Sequence, residues 1–504
     1  MGNWGTTATA PAVVETAGTR PGSRLDEAKF GLFVHWGAYA AGGVEASWPV
    51  MLGPELQRRF IEALHRVGMA EVEMPVRPVT LEEYEALPQR FTAERFDAAE
   101  WADLARDAGQ RYVVLTTKHH DGFCLFDTDT TDYKTTATPF GRDVVAELSK
   151  ACAAGGIGLG TYFSAPDFHD DGYLDRGRPL PENFLGEPDR PEWTGFLDRM
   201  ERQVTELCTK YGELYSWWWD IGFGPQWDIE RFHGLVRAHQ PAALMNDRLG
   251  GLSTAVPAGL RSDFLTPEQA VPRAIPRWSN YPGPMDPTMI FSLIQQDNWE
   301  ELLEQVEPIL RAHFEAPADP TVPDADDFLP WEACMTFGGQ WAWNPDLDRC
   351  KTGAEVVTDL VEVASRGGNL LMNVGPTGDG SIQPEFQDAL RDVGRWLEVN
   401  GEGIHGTTYG PVQGHDHVRT TRPSSLGRPA PADPALDDTV YVHVLPDAPG
   451  RIRVDGLADH TPAGSARVLD GDVEVTAEVD GDAVVLDLGR APRDPVMTTV
   501  RLGR

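Results

Sequence analysis

From Lys29 onward the chain alternates short apolar runs with longer segments whose apolar residues recur every three or four positions. KFGLFVHWG, starting at Lys29, predicts a buried strand that ends in polar and aromatic groups. A helix follows Asp97, which caps it with Glu100 at N3; Trp101, Leu104, Ala105 and Ala108 form its apolar face, and Gly109 stops it. RYVVLTTKHHDGF predicts the second strand, and a helix from Asp143 buries Val144, Val145, Leu148, Ala151 and Cys152. IGLGTYFS, ELYSWWWDIG and AALMNDR predict further strands, separated by a helix carrying Leu197, Met200, Val204, Leu207 and Tyr211 and another around Ile229–Val236. RSDFLT, EACMTF and NLLMNVGP are shorter strand candidates.

Continuous apolar strands joined by amphipathic helices predict a parallel sheet with helical crossovers. About eight such strands predict an α/β fold of the (β/α)8-barrel type, with distortion expected where the later units lose regularity. Polar residues gather at the C-terminal strand ends: His35, His119 with His120, Ser164, Asp220 and Arg248. In such barrels that rim carries the active site. Beyond Gly401, VYVHVLP, RIRVDGL, AVVLDLG and MTTVRLG are short, β-branched and separated by Asp/Gly turns, which predicts an all-β sandwich. The expected organisation is a flexible tail at 1–20, the barrel at 21–400 with an insert from Pro54 to Arg90, and the C-terminal β-sandwich at 401–504. Pro423–Asp438 reads as a surface loop of that last part.

The length of 504 residues fits a large domain plus a smaller one. A formal charge of -35 disfavours phosphate backbones and anionic lipid surfaces, so neither nucleic acid nor a membrane is expected as partner. No apolar run of spanning length and no basic-then-apolar leader is read, and the five scattered cysteines form no zinc-type spacing. A reducing cytoplasm is the expected location. The oligomeric state stays open.

Candidate chemistry concentrates on a few side chains. Asp220 follows three tryptophans at a strand end, where an unpaired carboxylate is costly. It either acts on a ligand held by flat rings or caps the next loop. Glu268 follows Thr266 and Pro267; T-P-E is also a common helix start. His119 and His120 are adjacent on a strand, so their side chains diverge and a shared metal is not expected. His35 and Trp36 make a donor-plus-ring pair. Arg248 either keeps a neighbouring carboxylate ionised or bridges to Asp247. Glu332, at the start of a strand, is a third acid. No GxGxxG, P-loop, HExxH or GxSxG pattern occurs in suitable context.

Taken together, FGLFVHWG, KHHDGF, GTYFS, WWWD, NDR, SDFLTPE, WEACMTF and NLLMNVGPTGDG, in this order across Phe30 to Gly380, resemble the α-L-fucosidases of glycoside hydrolase family 29. The resemblance implies a retaining exo-hydrolase that releases terminal α-L-fucose and needs no cofactor or metal. It implies Asp220 as nucleophile and Glu268 as general acid/base, with Glu332 as second choice. It also implies sugar contacts from His35, Trp36, Trp48, His119, His120, Tyr162, Trp218, Arg248 and Trp341. Departures are QWAW in place of SWGY, PDFH ending at His169, and the long insert. The rival readings are a related sugar such as α-L-galactose, a carbohydrate-binding protein without catalysis, and a metal hydrolase using His119, His120 and His169.

Overall fold

Strands that are apolar on both faces need cover on both sides. In the structure, a computed structural model, seven parallel strands form a barrel wall with helices packed outside it. The structure describes residues 22–51, 79–175, 186–222, 225–250, 256–272, 274–277, 323, 327–347, 349–424, 439–460 and 466–503. The tail read at 1–20, most of the Pro54–Arg90 insert and most of Pro423–Asp438 lie outside the described residues.

The wall comprises β1 (Phe30–Val34), β2 (Tyr112–Lys118), β3 (Gly158–Ser164), β4 (Ser216–Asp220), β5 (Leu244–Met245), β6 (Glu332–Thr336) and β7 (Asn369–Val374). Their spatial order is β5-β4-β3-β2-β1-β7-β6. The segment from Phe264 to Glu268 occupies the eighth position. Phe264 bridges Asn246 on one side, while Leu265 and Glu268 bridge Trp331 and Cys334 on the other, all in the parallel sense. This is the RSDFLT candidate, realised as single bridges that close the ring; Pro267, within it, has no N–H for a regular ladder.

Alternation along each strand sorts side chains between two cores. Phe33, Tyr112, Val114, Tyr162, Trp218, Phe264, Cys334 and Leu371 fill the barrel interior. Phe30, Leu32, Val113, Leu115, Phe163, Trp217, Trp219 and Met372 point outward to the helices. The expected helix caps are formed. Asp97 accepts from the amides of Ala99 and Glu100 at the start of Ala98–Asp107, and Asp143 accepts from Ala146 at the start of Val144–Gly155.

After the helix Pro384–Asn400 the chain enters an antiparallel sheet of eight strands. These are β8 (Thr407–Tyr409), β9 (Val418–Pro423), β10 (Val440–Val444), β11 (Arg451–Val454), β12 (Ala466–Val468), β13 (Val473–Asp480), β14 (Ala483–Asp487) and β15 (Thr498–Leu502). β13 joins two halves: its first residues pair with β12 and the rest with β14. The sheet folds over on itself, so Val442 and Val500 of one half share a core with Ile452, Val484 and Leu486 of the other. This is the expected C-terminal β-sandwich. Among the described residues no helix is long and apolar enough to cross a membrane.

Candidate active site

The rim at the C-terminal strand ends brings together most of the residues singled out in the sequence. Asp220 closes β4 and is 7% exposed. Its Oδ2 accepts from the Tyr162 hydroxyl at 2.6 Å and faces His120 Nε2 at 3.1 Å, and its Oδ1 accepts from Arg248 Nη1 at 3.0 Å. Burial opposes ionisation of this carboxyl. The His120 hydrogen bond, the Arg248 charge and the Tyr162 hydroxyl outweigh that and hold it well below the usual carboxylate range.

Arg248 spans both candidate carboxylates. Its Nη2 lies 2.8 Å from Glu268 Oε2, and its guanidinium sits 4.7 Å above the Trp218 ring. Thr266 fixes the fork: Arg248 Nε donates to Thr266 Oγ1 at 3.1 Å, and Thr266 Oγ1 donates to Asp247 Oδ1 at 2.8 Å. The T-P-E sequence is therefore no helix start. Thr266 anchors the arginine from the closing segment, and Glu268 next to it is partly exposed, at 42% of its side chain.

The two adjacent histidines both reach the site, contrary to the divergence expected on a strand. The β2–β3 register shifts between Thr116 and Lys118, the strand ends at Lys118, and Gly122 N closes a turn on the His119 carbonyl. The His119 ring then stacks on Tyr162 at 5.5 Å between centroids and 9° between planes, while His120 meets Asp220. His35 Nδ1 pairs with Asn373 Oδ1 at 2.6 Å, and Asn373 Nδ2 donates to the Trp341 carbonyl at 2.7 Å. That second bond fixes the amide, so His35 Nδ1 is the donor and Nε2 is left to accept from a ligand hydroxyl. Burial pushes His35 down to about 3 and His119 well below its ordinary range, so both rings are neutral donors and acceptors.

One of the tryptophan expectations needs correction. Trp36 is not in the pocket: it points into the outer core against Phe91, Phe96 and Trp101, with Nε1 bonded to the Thr377 carbonyl at 2.9 Å. Of the WWWD run only Trp218 faces inward; Trp217 and Trp219 pack outward, because strand neighbours alternate. Trp341 lines the rim, its ring 4.8 Å from His35. Trp48 opens the short helix Trp48–Met51 and packs, half-buried, against the outer core. His169 stacks on Tyr133 at 3.9 Å and pairs with Glu85, so it does not join His119 and His120. Among the described residues no group of three His, Cys, Asp or Glu side chains is placed to hold a metal.

Glu332 lies at the opposite end of the barrel from the rim. It opens β6, bonds the Tyr112 hydroxyl, and accepts from Trp218 Nε1 at 3.1 Å. Burial raises its carboxyl from 4.5 to about 7, against those two hydrogen bonds. Above pH 4.5 the unfolded chain loses this proton while the folded chain keeps it to about 7, so the contribution to stability is full below 4.5 and falls as pH rises through that window. Wild-type stability relative to Glu332→Gln is therefore expected to decline by about 2–3 kcal/mol between pH 4.5 and 7.5, read from denaturant midpoints. A parallel pH dependence in both proteins would contradict the assignment.

Sequence reasoning missed Ser47, Thr266 as an arginine anchor, Asn373 and Glu45. Asn373 was inside a quoted motif, and its inward phase on β7 was the available signal. Ser47 and Glu45 sit in an irregular loop with no periodicity to read. The five cysteines are free, and Cys124 is buried with its thiol donating to the Gly122 carbonyl. Cys124→Ala is expected to keep kcat/KM within tenfold of wild type; a loss of ~100-fold, the scale of a general acid or base, would give the thiol a catalytic part.

A barrel whose rim pairs a buried, ionised Asp with an exposed Glu, among neutral imidazoles and aromatic rings, defines a glycoside hydrolase. The family model described as alpha-L-fucosidase matches residues 10–283 and 284–402. The chain is 28% identical over 402 residues to the tissue alpha-L-fucosidase of Rattus norvegicus, covering 77% of this chain and 71% of that one. It superimposes on alpha-L-fucosidase isoenzyme 1 from Paenibacillus thiaminolyticus with a TM-score of 0.72 at 29% identity, over 96% of this chain and 99% of that one. It matches the Thermotoga maritima alpha-fucosidase, solved with a mechanism-based inhibitor, at 0.67 and 25% identity, over 96% and 97%. The chain belongs to the alpha-L-fucosidase family, glycoside hydrolase family 29.

Proposed function

We propose that this enzyme releases terminal α-L-fucose from glycans or glycosides by double displacement, with Asp220 as nucleophile and Glu268 as general acid/base. The observation that carries the reading is Asp220 itself, a buried carboxylate at a strand end held ionised by His120, Tyr162 and Arg248. An ionised oxygen is what attack on the anomeric carbon needs, and those donors also orient it. The charge that develops on the sugar is positive, so the Asp220 carboxylate offsets it, and that negative charge is lost as the glycosyl bond forms.

Glu268 supports the second role by position. Glu268 pairs with Arg248 in this structure, so the acid step requires its carboxyl to leave the guanidinium and carry a proton to the leaving oxygen. Its exposure at the rim gives it access to the aglycone side. Glu332 lies deep in the interior between Tyr112 and Trp218 and supports the barrel instead.

His35 and His119 supply neutral hydrogen-bonding groups for sugar hydroxyls, and Trp341 an apolar wall for a ring face that bears a methyl. A panel of aryl glycosides tests the reading. Hydrolysis of the α-L-fucoside, with α-fucose as the first anomer in the NMR spectrum, is the expected result. Preference for the α-L-galactoside would replace the sugar, and a first-formed β-anomer would replace the mechanism.

A further inference from the structure

Two walls of the pocket are tied to one three-residue turn. Glu45 is 3% exposed, and among the described residues no cation pairs with it. Its Oε1 accepts from the Trp341 amide at 2.7 Å and its Oε2 from the Ala342 amide at 3.2 Å. Two residues on, the Ser47 hydroxyl accepts from the Asp121 amide at 2.9 Å and pairs with His119 Nδ1. The pair with the Ser47 hydroxyl holds the His119 ring by Nδ1 and leaves Nε2 free of that bond. Between them Ala46 adopts a left-handed backbone, φ 45°, which a residue with a Cβ rarely does. The Tyr84 hydroxyl shares its proton between the Ala46 carbonyl at 3.0 Å and Asp121 Oδ2 at 2.8 Å.

Burial raises the Glu45 carboxyl from 4.5 to about 7 against its two amide bonds, and a left-handed alanine adds to the cost of the turn. Both costs fall on a turn whose side chains hold the pocket residues Trp341 and His119. The Trp341 loop is wedged from behind as well: a Cβ on Gly375 would lie 2.5 Å from the Ala342 carbonyl carbon, so only glycine allows β7 to back the loop this closely. From Trp341 the chain of contacts continues through its carbonyl to Asn373 and on to His35.

We propose that Glu45–Ala46–Ser47 is the positioning turn of the sugar pocket, Glu45 setting Trp341 and through Asn373 His35, and Ser47 setting His119. The inference rests on the fucosidase reading and adds residues that act through others. Because they act on the pocket and not on the reacting carboxylates, their loss falls on KM more than on kcat.

The test is a double-mutant cycle of Glu45→Gln and Trp341→Ala on an aryl α-L-fucoside. Gln is isosteric: its oxygen keeps one amide bond, and its NH2 faces the other amide donor to donor. Glu45→Gln is expected to raise KM about fivefold, the worth of one hydrogen bond, with kcat within twofold. In the Trp341→Ala background the same change is expected to raise KM by less than half as much. Glu45→Ala should have a larger effect on KM, and if it does not fold the Gln variant decides alone. An unchanged KM in Glu45→Gln, or effects that multiply fully in the double variant, overturns the positioning role. A wild type that leaves aryl fucosides intact overturns the fucosidase reading, and this inference with it. A hydrolysing wild type with an indifferent Glu45→Gln overturns this inference alone.

Discussion

Asp220→Ala is expected to lower kcat on an aryl α-L-fucoside by on the order of 10^4- to 10^6-fold, the range seen when a central catalytic group is removed. The effect should fall on kcat and leave KM close to wild type, because His35, His119 and Trp341 do not depend on Asp220 for their positions. External azide should partly restore turnover by entering the space of the carboxylate. Attack then occurs directly on the bound fucoside, so the fucosyl azide formed has inverted configuration. Removal also frees His120 Nε2, the Tyr162 hydroxyl and one arm of Arg248. Folding should nevertheless survive, since Arg248 keeps Thr266 and Glu268. Circular dichroism and a thermal melt separate loss of chemistry from loss of fold.

The second large effect distinguishes the two glutamates. Glu268→Ala should cost 10²- to 10⁴-fold with a poor leaving group and far less with an activated aryl fucoside, because only the former needs the proton. Azide should rescue it by attacking the fucosyl-enzyme without needing a base, giving fucosyl azide of retained configuration. Glu332→Ala should lose stability, since it leaves the Tyr112 hydroxyl and Trp218 Nε1 unpaired in the interior, at about 1–3 kcal/mol each. Its azide products should match those of wild type. If Glu332→Ala shows the retained rescue and Glu268→Ala behaves as wild type, the two roles must be exchanged.

The sequence revealed the barrel readily, and physical reasons explain where it stopped. Strands β1 to β4 are five to seven residues long, mostly apolar and buried, and separated by amphipathic helices, two of them capped by Asp97 and Asp143, so period and boundaries could be read. β5 is two residues and the eighth position only bridges, set by neighbours rather than by local pattern. Asp220, Arg248 and the histidines were visible because polar groups ending apolar strands stand out. Trp36 was misplaced because its neighbour His35 is in the pocket, and a strand sends consecutive side chains to opposite faces. The same rule divides Trp217 and Trp219 from Trp218. Conversely, His119 and His120 both reach the site because the strand ends at Lys118 and the chain turns between His119 and Gly122, which no periodicity announces. Glu45, Ser47 and Thr266 hold other residues in place from loops or isolated bridges, and partners hundreds of residues apart, such as Glu45 and Trp341, leave no mark on local pattern.

Covalent trapping tests the central claim most directly. A 2-deoxy-2-fluoro-L-fucosyl fluoride carries a good leaving group but forms a slowly hydrolysed glycosyl-enzyme, so the nucleophile keeps its label. Incubation, proteolysis and tandem mass spectrometry are expected to place a single 2-fluorofucosyl adduct on Asp220, with no adduct in Asp220→Ala. A stable adduct on any other carboxylate, or turnover of the reagent by wild type with inversion and no adduct at all, would contradict Asp220 as the nucleophile of a retaining enzyme.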